Sequence, residues 1–155
     1  MMYTVKDIDA VFRNIASEHK QLKAYYTNSQ SEIDINKISV NQYPLLFSNC
    51  TGVSVSQGVS VYSWEVVVAD LVIEPQTETI VNVYEETYLI YQDIIALFEL
   101  DQSNVFPNAG NQAWGIDTPI RMTPFTSQYD NLLTGWSATF EIQVPNALNL
   151  CVALF

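Results

Sequence analysis

Between Trp136 and Val144 the chain reads Trp-Ser-Ala-Thr-Phe-Glu-Ile-Gln-Val, a strict alternation of apolar or small residues with polar ones. An extended backbone turns successive side chains to opposite faces. Trp136, Ala138, Phe140, Ile142 and Val144 therefore share one face, and Ser137, Thr139, Glu141 and Gln143 share the other. A strand of this kind must bury its apolar side, so the chain has to build a sheet with a core on at least one face. Pro145 lacks the amide hydrogen that a ladder needs and ends the pattern.

A second strand is predicted over residues 61–73. Its stretch Val66-Val-Val-Ala-Asp-Leu-Val-Ile73 is apolar on both faces except at Asp70, the mark of a central strand covered on two sides. Asp70 reads as an acid at a bend or bulge near the strand end. Catalysis there would require a partner carboxylate, and Glu65 and Glu74 are the nearest in sequence. Tyr43-Pro-Leu-Leu-Phe47 reads as a short strand entered by proline, and residues 52–58 as a loop or hairpin tip. Residues 118–126, interrupted by Pro119 and Pro124, suit the edge strand of a closing hairpin.

Helical spacing appears twice. Ile8, Val11, Phe12, Ile15, Ala16, His19 and Leu22 recur every three or four residues, predicting an amphipathic helix over about residues 5–25, with Thr4 and Asp7 as its capping pair. Ile80, Val83, Tyr84, Thr87, Tyr88, Tyr91, Ile94, Ile95 and Phe98 form the inward stripe of a second helix over residues 79–100. The expected fold is α+β: a mixed or antiparallel sheet of about four or five strands with two helices packed on one face. With 155 residues and no dividing linker, residues 1–155 are expected to form one domain.

Charge narrows the function. The bases and acids of residues 1–37 cancel, so the net charge of -11 belongs to the remainder, where Arg121 faces twelve acids. Such a surface repels phosphate and argues against affinity-driven nucleic-acid binding. No run of 18 apolar residues and no signal-peptide pattern occurs, so no membrane contact and synthesis in the cytoplasm are expected. Cys50 and Cys151 do not make a disulfide framework, and His19 is the only histidine, more suited to packing than to catalysis. Phosphate loops, nucleophile elbows and metal-spaced clusters are missing, so neither enzymatic activity nor a cofactor or metal is expected. Two segments are candidates for contact with a neighbour. Residues 27–42 carry Ile33 and Ile35 among polar residues, and residues 101–117 carry Phe106 and Trp114, large apolar groups costly to leave in water.

The closing stretch has a further character. A polar turn (Gln128-Tyr-Asp-Asn-Leu-Leu-Thr), then Gly135-Trp136, the alternating strand, Val144-Pro-Asn and a late Cys151 resembles the corresponding end of tailed-phage neck and tail-completion proteins, the family that includes tail terminators. The strand over residues 61–73 leading into a second helix extends the resemblance to the order helix, strands, helix, hairpin. The resemblance implies a structural protein of the virion. It would form a closed ring, a hexamer or larger, at the head–tail junction or the tail end, made in the host cytoplasm and docked to neighbouring neck or tail proteins. The subunit contacts expected are Phe106, Trp114, Tyr129, Leu132, Ile33 and Ile35. Glu65, Glu74 and Glu141 are the acids expected near a lumen through which DNA passes without specific binding. The alternative is a β-rich binding or adaptor module that does not assemble into a ring.

Overall fold

The computed structural model of the chain describes residues 4–27, 42–72, 77–100, 115–126 and 132–146. Helix α1 (Val5–Glu18) starts where expected: the Asp7 carboxylate accepts the backbone N–H of Thr4 at 2.7 Å and its hydroxyl at 3.0 Å. The helix stops earlier than its stripe suggests. His19 turns to an extended backbone (ψ 126°), and Ala24–Tyr26 becomes strand β1, parallel to the start of β2. Leu22 is still buried, so its place in the stripe reflects burial without a helix.

Strand β2 (Leu45–Ser56) and strand β3 (Val59–Val72) form one long hairpin, turning at Gln57 and Gly58. Gly58 has φ +89°, a conformation that side chains disfavour. The expected short strand is thus only the beginning of β2, Leu45–Phe47, and of the stretch 52–58 expected as a loop or hairpin tip, residues 57 and 58 are the tip and residues 52–56 are strand, held by antiparallel pairing to β3. A register shift between Cys50 and Gly52 makes a bulge at Thr51. Helix α2 (Thr77–Leu100) buries Thr87, Ile90, Tyr91, Ile94 and Phe98; Tyr88, placed on the inward stripe by the sequence, is 38% exposed with its ring against Trp136. The closing hairpin is reduced to β4 (Gly115–Ile116) and β5 (Thr123–Thr126), both paired with the long β6 (Leu132–Pro145).

The fold is α+β, as expected, with a mixed sheet of six strands, somewhat larger than four or five. Its order is β1-β2-β3-β6-β4, with β5 beside β4 on the same edge of β6. β3 and β6 pair over their whole length, from Val59 with Pro145 to Val72 with Leu132. Both helices pack on one face. There Ile8, Phe12 and Ile15 of α1 and Tyr91, Ile94 and Phe98 of α2 meet Trp64, Val66 and Val68 of β3 and Phe140 and Ile142 of β6. Ala138, Phe140, Ile142 and Val144 are buried on this side and Trp136 is half-buried. The Trp136 indole packs between Tyr84 and Tyr88 and donates to the Tyr84 carbonyl at 2.8 Å.

Candidate functional site on the helix-free face of the sheet

The alternation that buries even-numbered residues of β3 and β6 under the helices turns odd-numbered ones to the other face. That face is divided. At one end Tyr43, Leu45, Phe47, Val67 and Ala69 are buried, with Leu71, Phe125 and Leu133 packed against them. Beyond them the same face is polar, with Asn49, Ser63 and Glu65, then Thr139, Glu141 and Gln143, before Val61 and Val59 next to the β2–β3 turn. Ser63 lies directly opposite Glu141 and donates its hydroxyl to that carboxylate, 2.8 Å from the nearer oxygen. Glu65 lies opposite Thr139, which makes Glu65 and Glu141 diagonal neighbours, about 7–8 Å apart at Cβ. Asp117 joins them through Gln143, whose amide donates to its carboxylate at 2.7 Å. Among the described residues no base forms an ion pair with Glu65, Asp117 or Glu141.

Two of the three expected lumen acids are therefore brought together on one face. The third, Glu74, lies outside the described residues, as do Ile33, Ile35, Phe106, Trp114 and Tyr129. Leu132 is the first residue of β6, its backbone paired with Val72. Asp117 was not singled out by the sequence; its bond from Gln143 and its backbone N–H, which donates to the Glu141 carbonyl at 3.1 Å, place it here.

Asp70 is on the opposite face from Glu65, five positions away along the strand, so the two cannot form a carboxylate pair. Its carboxylate takes the Leu71 N–H at 2.7 Å. Burial pushes its pKa up, and the negative charge of Glu86 on α2 adds to this, against the lowering effect of the Leu71 bond. Asp9 shifts the other way. Burial raises its pKa too, but hydrogen bonds from Tyr25, Thr27 and Arg13, together with the Arg13 charge, outweigh it and hold the carboxyl low. The Tyr25 hydroxyl donates to Asp9 at 2.6 Å and accepts from Ser48 at 2.6 Å, tying α1 to β1 and β2.

The signs give opposite pH signatures. Asp70, raised above the ordinary 3.8, supports the fold only while protonated, a contribution lost as pH rises through its folded value. Asp9, held below 3.8, contributes above that value and loses its contribution as pH falls through the folded one. Asp70→Asn is expected to raise the urea midpoint at pH 7 and Asp9→Asn to lower it, with both differences shrinking at pH 3. Equal effects at the two pH values would show that neither carboxylate is perturbed.

The helical face holds a concavity, a groove of about 770 Å³ between α1 and α2, lined by Val11, Ile15, Ala96 and Leu97 with polar groups at its rim. His19 and Asp93 stand at that rim, 2.9 Å apart. His19 Nδ1 accepts the Gln21 backbone N–H at 3.2 Å, so the proton of the neutral ring is on Nε2 and points at Asp93. Among the described residues lining the groove there is no serine, threonine or cysteine beside this His–Asp pair that it could activate as a nucleophile. The pair clamps the end of α1 to α2. Among the described residues no three His, Cys, Asp or Glu side chains gather as a metal site, and no helix is long and apolar enough to cross a membrane. Comparison with protein-family models and with curated proteins returned no match.

Proposed function

We propose that this chain is a structural subunit of a tailed-phage virion, assembling into a ring at the head–tail junction or the tail end, with DNA passing through its lumen. The observation that carries the reading is the helix-free face, where Glu65, Glu141 and Asp117, with no ion-paired base among the described residues, form an acidic patch beside an apolar one. The acidic half suits a surface that DNA slides past without sticking, because phosphates find no base to displace their counterions. The apolar half, at the other end of the same face, suits burial within the assembly. The element order of helix, strands, helix and hairpin, which the resemblance to tail-completion proteins implies, supports the same reading.

Copies each carrying -11 repel one another, so apolar burial and hydrogen bonds must hold the ring together. Salt screens that repulsion over about 8–10 Å at moderate ionic strength. Light scattering is therefore expected to show mass rising with salt toward a closed oligomer, ring-shaped by electron microscopy, and duplex DNA at physiological salt should not bind. A chain that stays monomeric at every concentration and salt, and is missing from purified virions, would remove this reading in favour of the adaptor module. The groove between α1 and α2 is the feature that favours the adaptor.

A further inference from the structure

Residues 45–64 contain no charged side chain, a neutral stretch in a chain that carries 17 acids. This stretch is the β2–β3 hairpin up to Trp64. β1 covers the outer edge of β2 only at Leu45, Leu46 and Phe47. Beyond the bulge, residues 51–56 are all exposed, and among the described residues no strand pairs with their outer edge. Gly52 and Ser56 have carbonyls engaged locally, by the Cys50 thiol and by the Asn146 amide. Val53 and Val55 project to the helix side of the sheet, opposite Tyr62 and Ser60, and remain 51% and 57% exposed. A regular, uncharged, β-branched edge is what proteins ordinarily guard with lysine, proline or a covering element. Among the described residues the only guard is the bulge at Thr51, which leaves the stretch beyond it regular.

Asn146 sits against the turn of the same hairpin. Its side-chain amide donates to the Ser56 carbonyl and to the Ser60 hydroxyl, each at 2.8 Å, and its side-chain oxygen accepts the Gly58 N–H at 3.0 Å. The sequence leaving this anchor, Ala147-Leu-Asn-Leu-Cys-Val-Ala-Leu-Phe155, is also uncharged. It alternates as a strand does: Leu148, Leu150, Val152 and Leu154 in one set; Ala147, Asn149, Cys151 and Ala153 in the other. Residues 147–155 are long enough to lie along the whole stretch of β2 that β1 leaves open. To reach that edge in its own chain, the segment would have to reverse at Asn146 and cross the ends of β3 and β2. That crossing spans about three strand spacings of 4.8 Å, which uses up nearly half of it. A neighbour's edge needs no such reversal.

We propose that the open edge of β2 at residues 51–56 is an intermolecular pairing site, occupied by residues 147–155 of a second copy of this chain. The added strand sets its leucines and valine over Val53 and Val55, and the contact joins two stretches of acidic subunits whose side chains carry no charge. Because donor and acceptor are different surfaces, the contact runs head to tail, as a closed ring requires. The inference rests on the ring reading for its biological setting but not for its test.

Sedimentation velocity on the full chain, at a salt concentration where it self-associates, is the measurement. Val53→Lys with Val55→Lys lowers the net negative charge, so association governed by repulsion alone would strengthen. A blocked edge instead raises the dissociation constant about tenfold or more. A chain truncated after Asn146 is expected to lose association to the same extent. Should truncation unfold it, Leu150→Pro in the full chain takes its place by removing a ladder hydrogen. The deciding step mixes the lysine variant, which keeps the segment, with the truncated chain or its proline substitute, which keeps the edge. A 1:1 complex is expected where each alone is monomeric. Two separate monomers in the mixture would overturn the proposal. So would truncation that speeds hydrogen exchange at residues 51–56 without changing mass, the signature of a segment folded on its own edge. Rings that survive truncation leave the ring reading standing and remove this one; a 1:1 complex without any ring in the full chain does the reverse.

Discussion

Gly135→Ala is expected to be among the most damaging single substitutions in the described residues, destabilising the protein by about 3 kcal/mol or more. Gly135 lies in the middle of the sheet, between Ala69 of β3 and Phe125 of β5. A Cβ built on it would stand 2.0 Å from the Val68 carbonyl oxygen and 2.8 Å from the Ala69 Cα. Both are backbone atoms, so no rotamer change relieves the clash. β3 and β6 would have to part where both faces of the sheet are buried. Set against a typical total stability of about 5–15 kcal/mol, that loss leaves little or no folded protein. Gly52→Ala is the control, since nothing lies within 4 Å of its added Cβ, and its effect should stay within about 0.5 kcal/mol. Urea unfolding of the two variants side by side checks the contrast. Matching midpoints would mean that β3 and β6 are not as closely apposed as their register requires.

Phe12→Ala is expected to cost about 3–5 kcal/mol. Its ring is fully buried and stacks on Trp64 of β3 at 5.9 Å, with Phe98 of α2 at 5.3 Å and Phe140 of β6 at 6.2 Å. A cavity there touches α1, α2 and the two longest strands at once, and the surrounding rings cannot collapse into it without moving a helix. Loss of α1 docking should appear as lowered near-ultraviolet circular dichroism from Trp64 together with the lowered midpoint. Phe12→Leu, which keeps most of the volume, should recover more than half of the loss. If Phe12→Ala and Phe12→Leu behave alike, restoring apolar volume recovers nothing and the loss belongs to the ring contacts themselves.

How far the fold could be read from the sequence depended on what each signal physically measures. The alternation of residues 136–144 reports burial under the helices, and Ala138, Phe140, Ile142 and Val144 are buried there. The doubly apolar run from Val66 reports a strand between two others, and β3 lies between β2 and β6. The distal half of β2 gave no hydrophobic signal because its residues are exposed; pairing with β3 alone makes it a strand. α1 was read too long because Leu22 keeps the helical spacing while its backbone has already left the helix. For the candidate site, strand parity places Glu65 and Glu141 on the polar sides of their own strands. Their adjacency needs the β3–β6 register, which no local pattern encodes. The His19–Asp93 contact spans 74 positions and left no trace in the sequence.

The pairing of β3 with β6 also sets the order in which this protein can be built. β2 and β3 are joined by a tight turn and can zip as soon as both exist, but the other edge of β3 waits for a strand that begins 60 positions after β3 ends. Contacts between segments so far apart form slowly, since the intervening chain must be closed before any reward is collected. During synthesis, then, the most apolar strand of the molecule, Val66 to Ala69 included, is held with one side unpaired until residue 145 has left the ribosome. A nascent chain of this topology is most exposed to misassociation between the emergence of β3 and that of β6, and pauses in translation after α2 should lower its yield more than pauses before β2.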